Sequence, residues 1–572
     1  MKELPIVLIL LLIAVVVALP AVAAERQIVV RPSMDGVRIP LRDGKALAAD
    51  IYLPQRQGKF PTILIITPYN RKLMGAALPD PKLKGTLFFD REEYAIAIVD
   101  WRGFFGSKDA RSSGAKPGKD GYDVVEWIAA QPWSNGRVGM WGPSALGKIQ
   151  FYTAIENPPH LVCGVPMVSE FGYSYGQFFH GGVLKKAYVD TVTRVGFNLD
   201  RVKSHPTDDR FWKAVAEMKQ TSRIDIPLLL ISGWYDLYTD GVLSTWRDIR
   251  TNGGPRAREN VRLLIGPWDH SHTGKLKQGD LEFPNAEGYD LVEARRFFDY
   301  WLRDRKDNGW QERPRILYYL LGADTWQGLA SWPQQPDIEY ACYLSNGGTL
   351  TDRLESIAPL KECYLYDPSN PSPTIGGMTV YKFWDPTAPK VSSGPKDQRP
   401  VMQGRSDYLL FTGKVLDAPR EVRGNPLVDL FISSDRVDTD FAVRLCDIYP
   451  DGRYILVTDG IQRVSLRMDG ARPEYITPGN IYRLTVKLSV TAWSFQKGHR
   501  IGIIITSSNY PRFAVNPNLD RPRLFATSRL FVARNCVWSD SGNPSALRLP
   551  DFSEAGRPAG GPPATVKRFL AN

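Results

Sequence analysis

At 572 residues the chain is too long for one hydrophobic core and should divide into two or three domains. A content of 43% hydrophobic and 11% aromatic residues excludes a disordered chain. The net charge of +11 is scattered, with no long Lys/Arg run and no zinc-finger spacing, so it reads as a surface-field property and no nucleic-acid partner is expected.

Residues 1–24, "MKELPIVLILLLIAVVVALPAVAA", have the form of an export signal: Lys2, an apolar run from Ile6 to Leu19, then small residues for cleavage. The expectation is a periplasmic or secreted protein, in contact with a membrane only if the segment stays uncleaved. The five cysteines (163, 342, 363, 446 and 536) show no CxxC, which argues against a disulfide-dense scaffold and against a Cys-ligated metal. Export permits one or two bridges, and Cys342 with Cys363 is the first pair to test.

Over 25–171 and 224–332, short apolar runs alternate with amphipathic helical text. Examples are Thr62–Ile66, Tyr94–Val99, Val138–Trp141, Leu228–Ile231 and Arg262–Ile265. Strands that are apolar throughout need a sheet covered on both faces, so this is an α/β domain with a mostly parallel sheet. Residues 172–223 interrupt the alternation with aromatic and helical text, the pattern of a helical cap. From 333 to 572 the text turns to alternating strands joined by Gly, Asp and Pro turns, which predicts a C-terminal all-β sandwich of jelly-roll type with a polar, Pro-rich tail from about 553. The linker falls near Trp332-Pro333.

The stretch "MWGPSALGKIQ" (140–150) places Ser144 between a strand and a helix with small residues on either side, as a nucleophile elbow requires. The spacing is G-x-S-x-x-G, and a plain helix cap explains a lone serine equally well. A serine nucleophile needs a base and an orienting carboxylate at the carboxyl ends of later strands. "PLLLISGWYDLYTDG" puts Asp236 at one such end and "VRLLIGPWDHSHTG" puts His270 at the next, in the order Ser, Asp, His. Asp240, Asp269 and His272 compete by proximity; Asp240 reads as a helix start and Asp269 as facing away or tuning the loop. For the oxyanion, the backbone N–H of Ala145 is one donor and the phenol of Tyr69, in "IITPYNR", the other. Phe171, Tyr173, Tyr175, Phe178, Phe179, Trp234 and Leu237 are candidates to line an acyl pocket, with cap-to-core packing the competing role.

Several motifs together resemble the X-prolyl dipeptidyl-peptidase and cocaine-esterase family of serine hydrolases. They are "TPYNR" (67–71), "DWRGFFGS" (100–107), "DGYDVVEWIAAQPWSNGRVGMWGPSALG" (120–147), "SGWYDL" (232–237), "GPWDHSHTG" (266–274) and "KGHRIGIIITSSNYPRF" (497–513). The resemblance implies an α/β-hydrolase core with a helical cap and a C-terminal jelly roll. It also implies a triad of Ser144, Asp236 and His270, oxyanion donors Tyr69 and Ala145, and no metal or cofactor. Arg102, Asp440 and Asp451 fall on positions read as structural. Leu237-Tyr238 follow Asp236 where the α-amino-acid ester hydrolase branch carries acidic residues, and the N-terminal helical domain of the longer dipeptidyl-peptidases is missing. The expected activity is hydrolysis of a small-molecule ester or amide through an acyl-enzyme. The alternatives are an X-Pro dipeptidyl aminopeptidase and, further off, a glycan-binding protein with an idle hydrolase core.

Overall fold

The computed structural model describes residues 31–76, 92–332, 339–380, 392–519 and 529–550. The expected export signal at 1–24, the linker residue Pro333 and the Pro-rich tail from 553 lie outside the described residues.

The apolar runs of the first half become the centre of one sheet. Its strands are β1 (Met34–Pro40), β2 (Ala46–Tyr52), β3 (Phe60–Thr67), β4 (Ala95–Asp100), β5 (Ser134–Pro143), β6 (Leu161–Met167), β7 (Leu229–Tyr235), β8 (Arg262–Asp269), β9 (Ile316–Leu320) and β10 (Thr325–Leu329). They lie in the order β1-β2-β4-β3-β5-β6-β7-β8-β9-β10. The pairings from β4 through β9 are parallel, while β1–β2, β2–β4 and β9–β10 are antiparallel. Every residue of β3, β7 and β8 is buried, which requires helices on both faces. Those helices include α1 (Pro117–Ala129), α2 (Ala145–Ala154), α5 (Thr239–Asn252) and α6 (Tyr289–Leu302). The strand order reverses beside β3 and β5, so a crevice opens above their carboxyl ends, where ligands of such sheets bind. This is an α/β-hydrolase core followed by a β-rich C-terminal part.

Between β6 and β7 the chain forms a short hairpin (Phe179–His180 with Val183–Leu184) and helices that include α3 (Lys186–Arg194) and α4 (Arg210–Glu217). Their aromatic residues stack on one another. Tyr175 lies 4.7 Å from Phe179, and Trp212 packs edge-on against both at 5.8 and 6.2 Å.

The C-terminal part is an 11-stranded sheet, antiparallel apart from one single-residue parallel contact. It includes β11 (Leu360–Tyr366), β12 (Asp440–Ile448), β13 (Tyr454–Arg463), β14 (Arg500–Thr506) and β15 (Ala533–Ser539). Strands β11 and β15 run antiparallel with Cys363 directly opposite Cys536, and these two form the disulfide. The expected Cys342–Cys363 pairing is therefore incorrect. Cys342 lies on the strand Glu339–Ser345, which pairs with Ala546–Pro550, and its buried thiol is free. Nearness along the chain misled here, because antiparallel pairing joins strands far apart in sequence.

The β-rich part reaches the core at the edge of the crevice. Tyr235 donates its phenol proton to the Leu456 carbonyl at 2.8 Å, Asn425 donates to Asp240 at 2.9 Å, and a ring nitrogen of His180 meets the Lys487 carbonyl at 2.7 Å.

Candidate active site

Strand β5 ends at Pro143, and α2 begins at Ala145. Ser144 between them has φ 58° and ψ −119°, a conformation L-residues rarely adopt. Its N–H donates to the Met167 carbonyl at 2.9 Å, which pins the turn to the neighbouring strand. The hydroxyl makes no capping bond to α2. Instead the hydroxyl and the Ala145 N–H lie close enough to the Tyr69 phenol to act on its titration. A helix-cap role does not describe this serine.

Tyr69 is placed by the loop after β3. Its N–H donates to Thr67 Oγ1 at 2.9 Å, and Asn70 turns the chain with φ 77°. Arg71 then locks the loop: its N–H donates to Asp100 at 2.7 Å, and its guanidinium bridges Asp50 at 2.9 Å and Asp100 at 2.7 Å. Burial raises the Tyr69 pKa, and the Ser144 and Ala145 donors pull against that shift without reversing it. The phenol therefore keeps its proton at neutral pH.

The carboxyl ends of β7 and β8 supply the partners. Asp236 is fully buried, its N–H bonded to the Gly233 carbonyl at 2.9 Å. One carboxylate oxygen lies 2.8 Å from His270 Nδ1, and the other accepts the Ser232 hydroxyl at 3.0 Å. With Nδ1 engaged, Nε2 is the nitrogen left for proton transfer. Tyr238 packs on the imidazole with ring centroids 5.5 Å apart and donates to the Tyr188 phenol of α3 at 2.8 Å. That bond ties the helical insertion to the histidine.

The rival acids have other partners. Asp240 sits in the first turn of α5 and accepts from Asn425. Asp269 accepts the backbone N–H groups of Ser271 and His272, each at 2.8 Å, and His272 Nδ1 at 2.9 Å. It shapes the loop that carries His270 without touching it. Arg102 is bound to Asp120 at 2.7 Å and Asp43 at 2.8 Å, Asp440 to Arg463 at 3.1 Å, and Asp451 to its own turn at Arg453.

The expected acyl-pocket residues divide. Trp234 does not belong there. It is 1% exposed, donates to the Tyr319 carbonyl at 2.6 Å and packs on Trp332, so its indole is committed to the core. Phe171 is likewise closed off, 5.5 Å from Phe151 in the core, and Leu237 is buried. Phe178 and Phe179 are buried in the aromatic stack, and Tyr175 donates to the Pro206 carbonyl. Tyr173 is 41% exposed, with its ring stacked on Phe178 at 6.2 Å.

Several residues beside the site escaped the sequence reading. Lys148, one helical turn after Ser144, is buried, donates to the Gly172 carbonyl at 2.5 Å and lies 4.2 Å from the Tyr173 ring centre. Burial pushes its ammonium down to about 8. Glu170 is also buried; burial raises its pKa, while the lysines Lys148, Lys185 and Lys219 act in the other direction. Ser232, four residues before Asp236, holds the carboxylate's second oxygen. In "SGWYD" it reads as one more small residue, with nothing to set it apart.

Comparison with known proteins places the chain among hydrolases. Residues 43–198 and 185–272 match the X-Pro dipeptidyl-peptidase (S15 family) model, and 308–548 match the X-Pro dipeptidyl-peptidase C-terminal non-catalytic domain. A cocaine esterase of Rhodococcus sp. (strain MB1 Bresler) is 30% identical over 90% of this chain and 97% of its own length. A putative serine esterase of Mycobacterium bovis is 25% identical over 87% and 94%. Among solved structures, an alpha-amino acid ester hydrolase superposes with a TM-score of 0.76 at 24% identity, covering 94% of this chain and 98% of its own. An aminopeptidase from a marine sediment archaeon, Thaumarchaeota archaeon, gives 0.74 at 23%, covering 94% and 99%.

Proposed function

Because the chain belongs to the X-prolyl dipeptidyl-peptidase and cocaine-esterase family of serine hydrolases, we propose that it hydrolyses small-molecule acyl esters through an acyl-enzyme on Ser144, with His270 as base and Asp236 as its orienting carboxylate. The observation that carries this reading is geometric: His270 Nδ1 lies on a fully buried Asp236 at 2.8 Å, and Ser144 stands on a strained strand-to-helix turn with φ 58° and no capping bond.

The chemistry follows from that set. Ser144 Oγ attacks the substrate carbonyl carbon as its proton passes to His270 Nε2, and Asp236 stabilises the imidazolium. Negative charge moves onto the carbonyl oxygen, which receives the Tyr69 O–H and the Ala145 N–H. The first turn of α2 adds its positive end. Collapse of the intermediate breaks the bond to the alcohol, which leaves with the proton from His270. Water, deprotonated by the same nitrogen, then opens the Ser144 ester and releases the acid.

An X-Pro dipeptidyl aminopeptidase is the second reading, favoured by the matched family models. It must hold a substrate ammonium, and the titratable side chains around Glu170 work against that. Lys148 and Lys185 both act on this carboxylate and repel a further cation. We place the protein outside the cytoplasm, in the periplasm or secreted, on the form of residues 1–24 and on the Cys363–Cys536 disulfide, which persists in oxidising compartments.

The test is turnover of p-nitrophenyl butyrate against an X-Pro p-nitroanilide by the purified protein, with Asp236→Asn and Asp240→Asn compared. Ester turnover lost in Asp236→Asn and retained in Asp240→Asn supports the reading. An inactive Asp240→Asn beside an active Asp236→Asn overturns the assignment, and preference for the nitroanilide transfers the function to the peptidase.

A further inference from the structure

The proposed base leans on a carboxylate that has lost contact with water. Asp236 is fully buried, and a carboxylate oxygen left there without a donor is costly. His270 Nδ1 lies 2.8 Å from one oxygen. The other has a single donor among the described residues, the Ser232 hydroxyl at 3.0 Å.

The local chain path makes that contact. Ser232 lies in the middle of β7 and is itself fully buried. After Tyr235 the chain turns twice: the Asp236 N–H bonds the Gly233 carbonyl at 2.9 Å, and the Thr239 N–H bonds the Asp236 carbonyl at 3.2 Å. These turns bring the Asp236 carboxylate back onto the strand it has just left. The proton inventory then fixes each bond's direction. A carboxylate only accepts and a hydroxyl has one proton, so the Ser232 proton belongs to Asp236. Thr239 Oγ1 lies 3.3 Å from Ser232 Oγ, and its own proton faces the backbone carbonyls of Gly233 at 2.5 Å and Asp236 at 2.8 Å. Thr239 therefore holds the turn, while Ser232 alone acts on the oxygen that His270 leaves free.

The other titratable groups around the pair have partners of their own. Tyr238, packed on His270, donates to Tyr188, and Asp240 accepts from Asn425. Asp269 and His272 bond each other, and Lys185, whose charge reaches Asp236, donates to the Gly176 carbonyl at 2.7 Å. None of them hydrogen-bonds the Asp236 carboxylate.

Resting on the triad reading above, we propose that Ser232 is a positioning residue of the reaction: it acts through Asp236, holding one carboxylate oxygen so that the other faces His270 Nδ1. The same bond tunes the base. The positive end of the Ser232 O–H dipole points at the Asp236–His270 pair and opposes uptake of a proton by either member. Without that hydroxyl the pair captures a proton at higher pH, and Ser144 loses its base there.

The experiment measures the pH dependence of kcat/KM for p-nitrophenyl butyrate in the wild type, Ser232→Ala, Ser232→Thr and Thr239→Val. In Ser232→Ala the acid limb should move up by about one pH unit, as expected for a lost bond to a charged group. Ser232→Thr keeps the hydroxyl and should return the limb to its wild-type place. Thr239→Val should lower the melting temperature and leave the limb where it is. A merely structural role for Ser232 would lower activity alike at every pH. An acid limb that stays or falls in Ser232→Ala, or that moves as far in Thr239→Val, overturns the proposal. Ser232→Cys, a weak donor, takes the place of Ser232→Ala if the latter does not fold. NMR titration of the His270 ring, assigned by its loss in His270→Ala, separates this outcome from the triad reading. If Asp236→Asn still turns over the ester, the catalytic reading fails, while a raised His270 midpoint in Ser232→Ala upholds the action of Ser232 on the pair; an unmoved midpoint overturns it.

Discussion

A Cβ atom built on Gly142 would lie 2.4 Å from the Cβ of Leu146. Leu146, two residues after Ser144, fills the space directly behind the turn. The second glycine of the motif is needed one residue later, where a Cβ on Gly147 would lie 2.8 Å from that of Ser169 and 3.1 Å from the Met167 carbonyl. The G-x-S-x-x-G spacing thus records where α2 crosses the end of β6. Gly142 also has φ 148°, so Gly142→Ala combines overpacking with a strained backbone. The expected loss is roughly 1–3 kcal/mol in chemical denaturation, with esterase activity falling as the turn shifts. A variant as stable and active as the wild type contradicts the packing account.

Tyr69→Phe removes the phenol proposed as an oxyanion donor and keeps the ring. The expected result is a fall in kcat of about 10²–10³-fold with KM for p-nitrophenyl butyrate little changed, because the bond strengthens as charge develops. Equal loss in kcat and binding would place Tyr69 in substrate docking instead.

The disulfide closes a long loop, Cys363 and Cys536 being 173 residues apart in sequence. Loop-closure entropy alone gives about 5 kcal/mol as an upper figure for what the bridge removes from the unfolded chain. Cys363→Ser/Cys536→Ser should lower the denaturation midpoint, and thiol titration of the unreduced, denatured protein should find the thiols of Cys163, Cys342 and Cys446 and no others. Disulfide mapping that joins Cys342 to Cys363 would reverse the correction.

The loop carrying His270 makes its own pH prediction. The hydrogen bond to Asp269 raises the His272 pKa above its ordinary value. For Asp269, burial opposes the charge, but His272 and Ser393 outweigh it and hold the carboxyl below the usual range. A histidine raised on folding contributes stability that is fully present below its unfolded pKa of about 6.5 and lost as pH rises through the folded value. At the acid end the contribution fades again as Asp269 protonates. The stability difference between wild type and His272→Gln should therefore be largest near pH 5–6 and shrink above neutrality. A difference that grows with pH contradicts the ion pair.

The α/β-hydrolase fold and the placement of Asp236 and His270 were legible because both depend on local text: an apolar strand that stops at a polar loop. That Asp236 and not Asp240 meets His270 was legible for the same reason, since Asp236 follows the strand directly and Asp240 already belongs to a helix. Trp234 was misplaced because nearness to Asp236 along the chain does not show that its ring is taken up by Tyr319 and Trp332 in the core. The cysteine pairing was missed because register between strands 173 residues apart leaves no trace in spacing. Lys148 and Glu170 were missed for a related reason: a charged residue becomes notable only once folding has buried it.

The central claim is that Ser144 is the nucleophile, and fluorophosphonate labelling followed by peptide mapping tests it most directly. The account predicts a single adduct on Ser144, absent in Ser144→Ala and greatly slowed in His270→Ala. Labelling that survives in Ser144→Ala, or an adduct mapped to another serine, would contradict it.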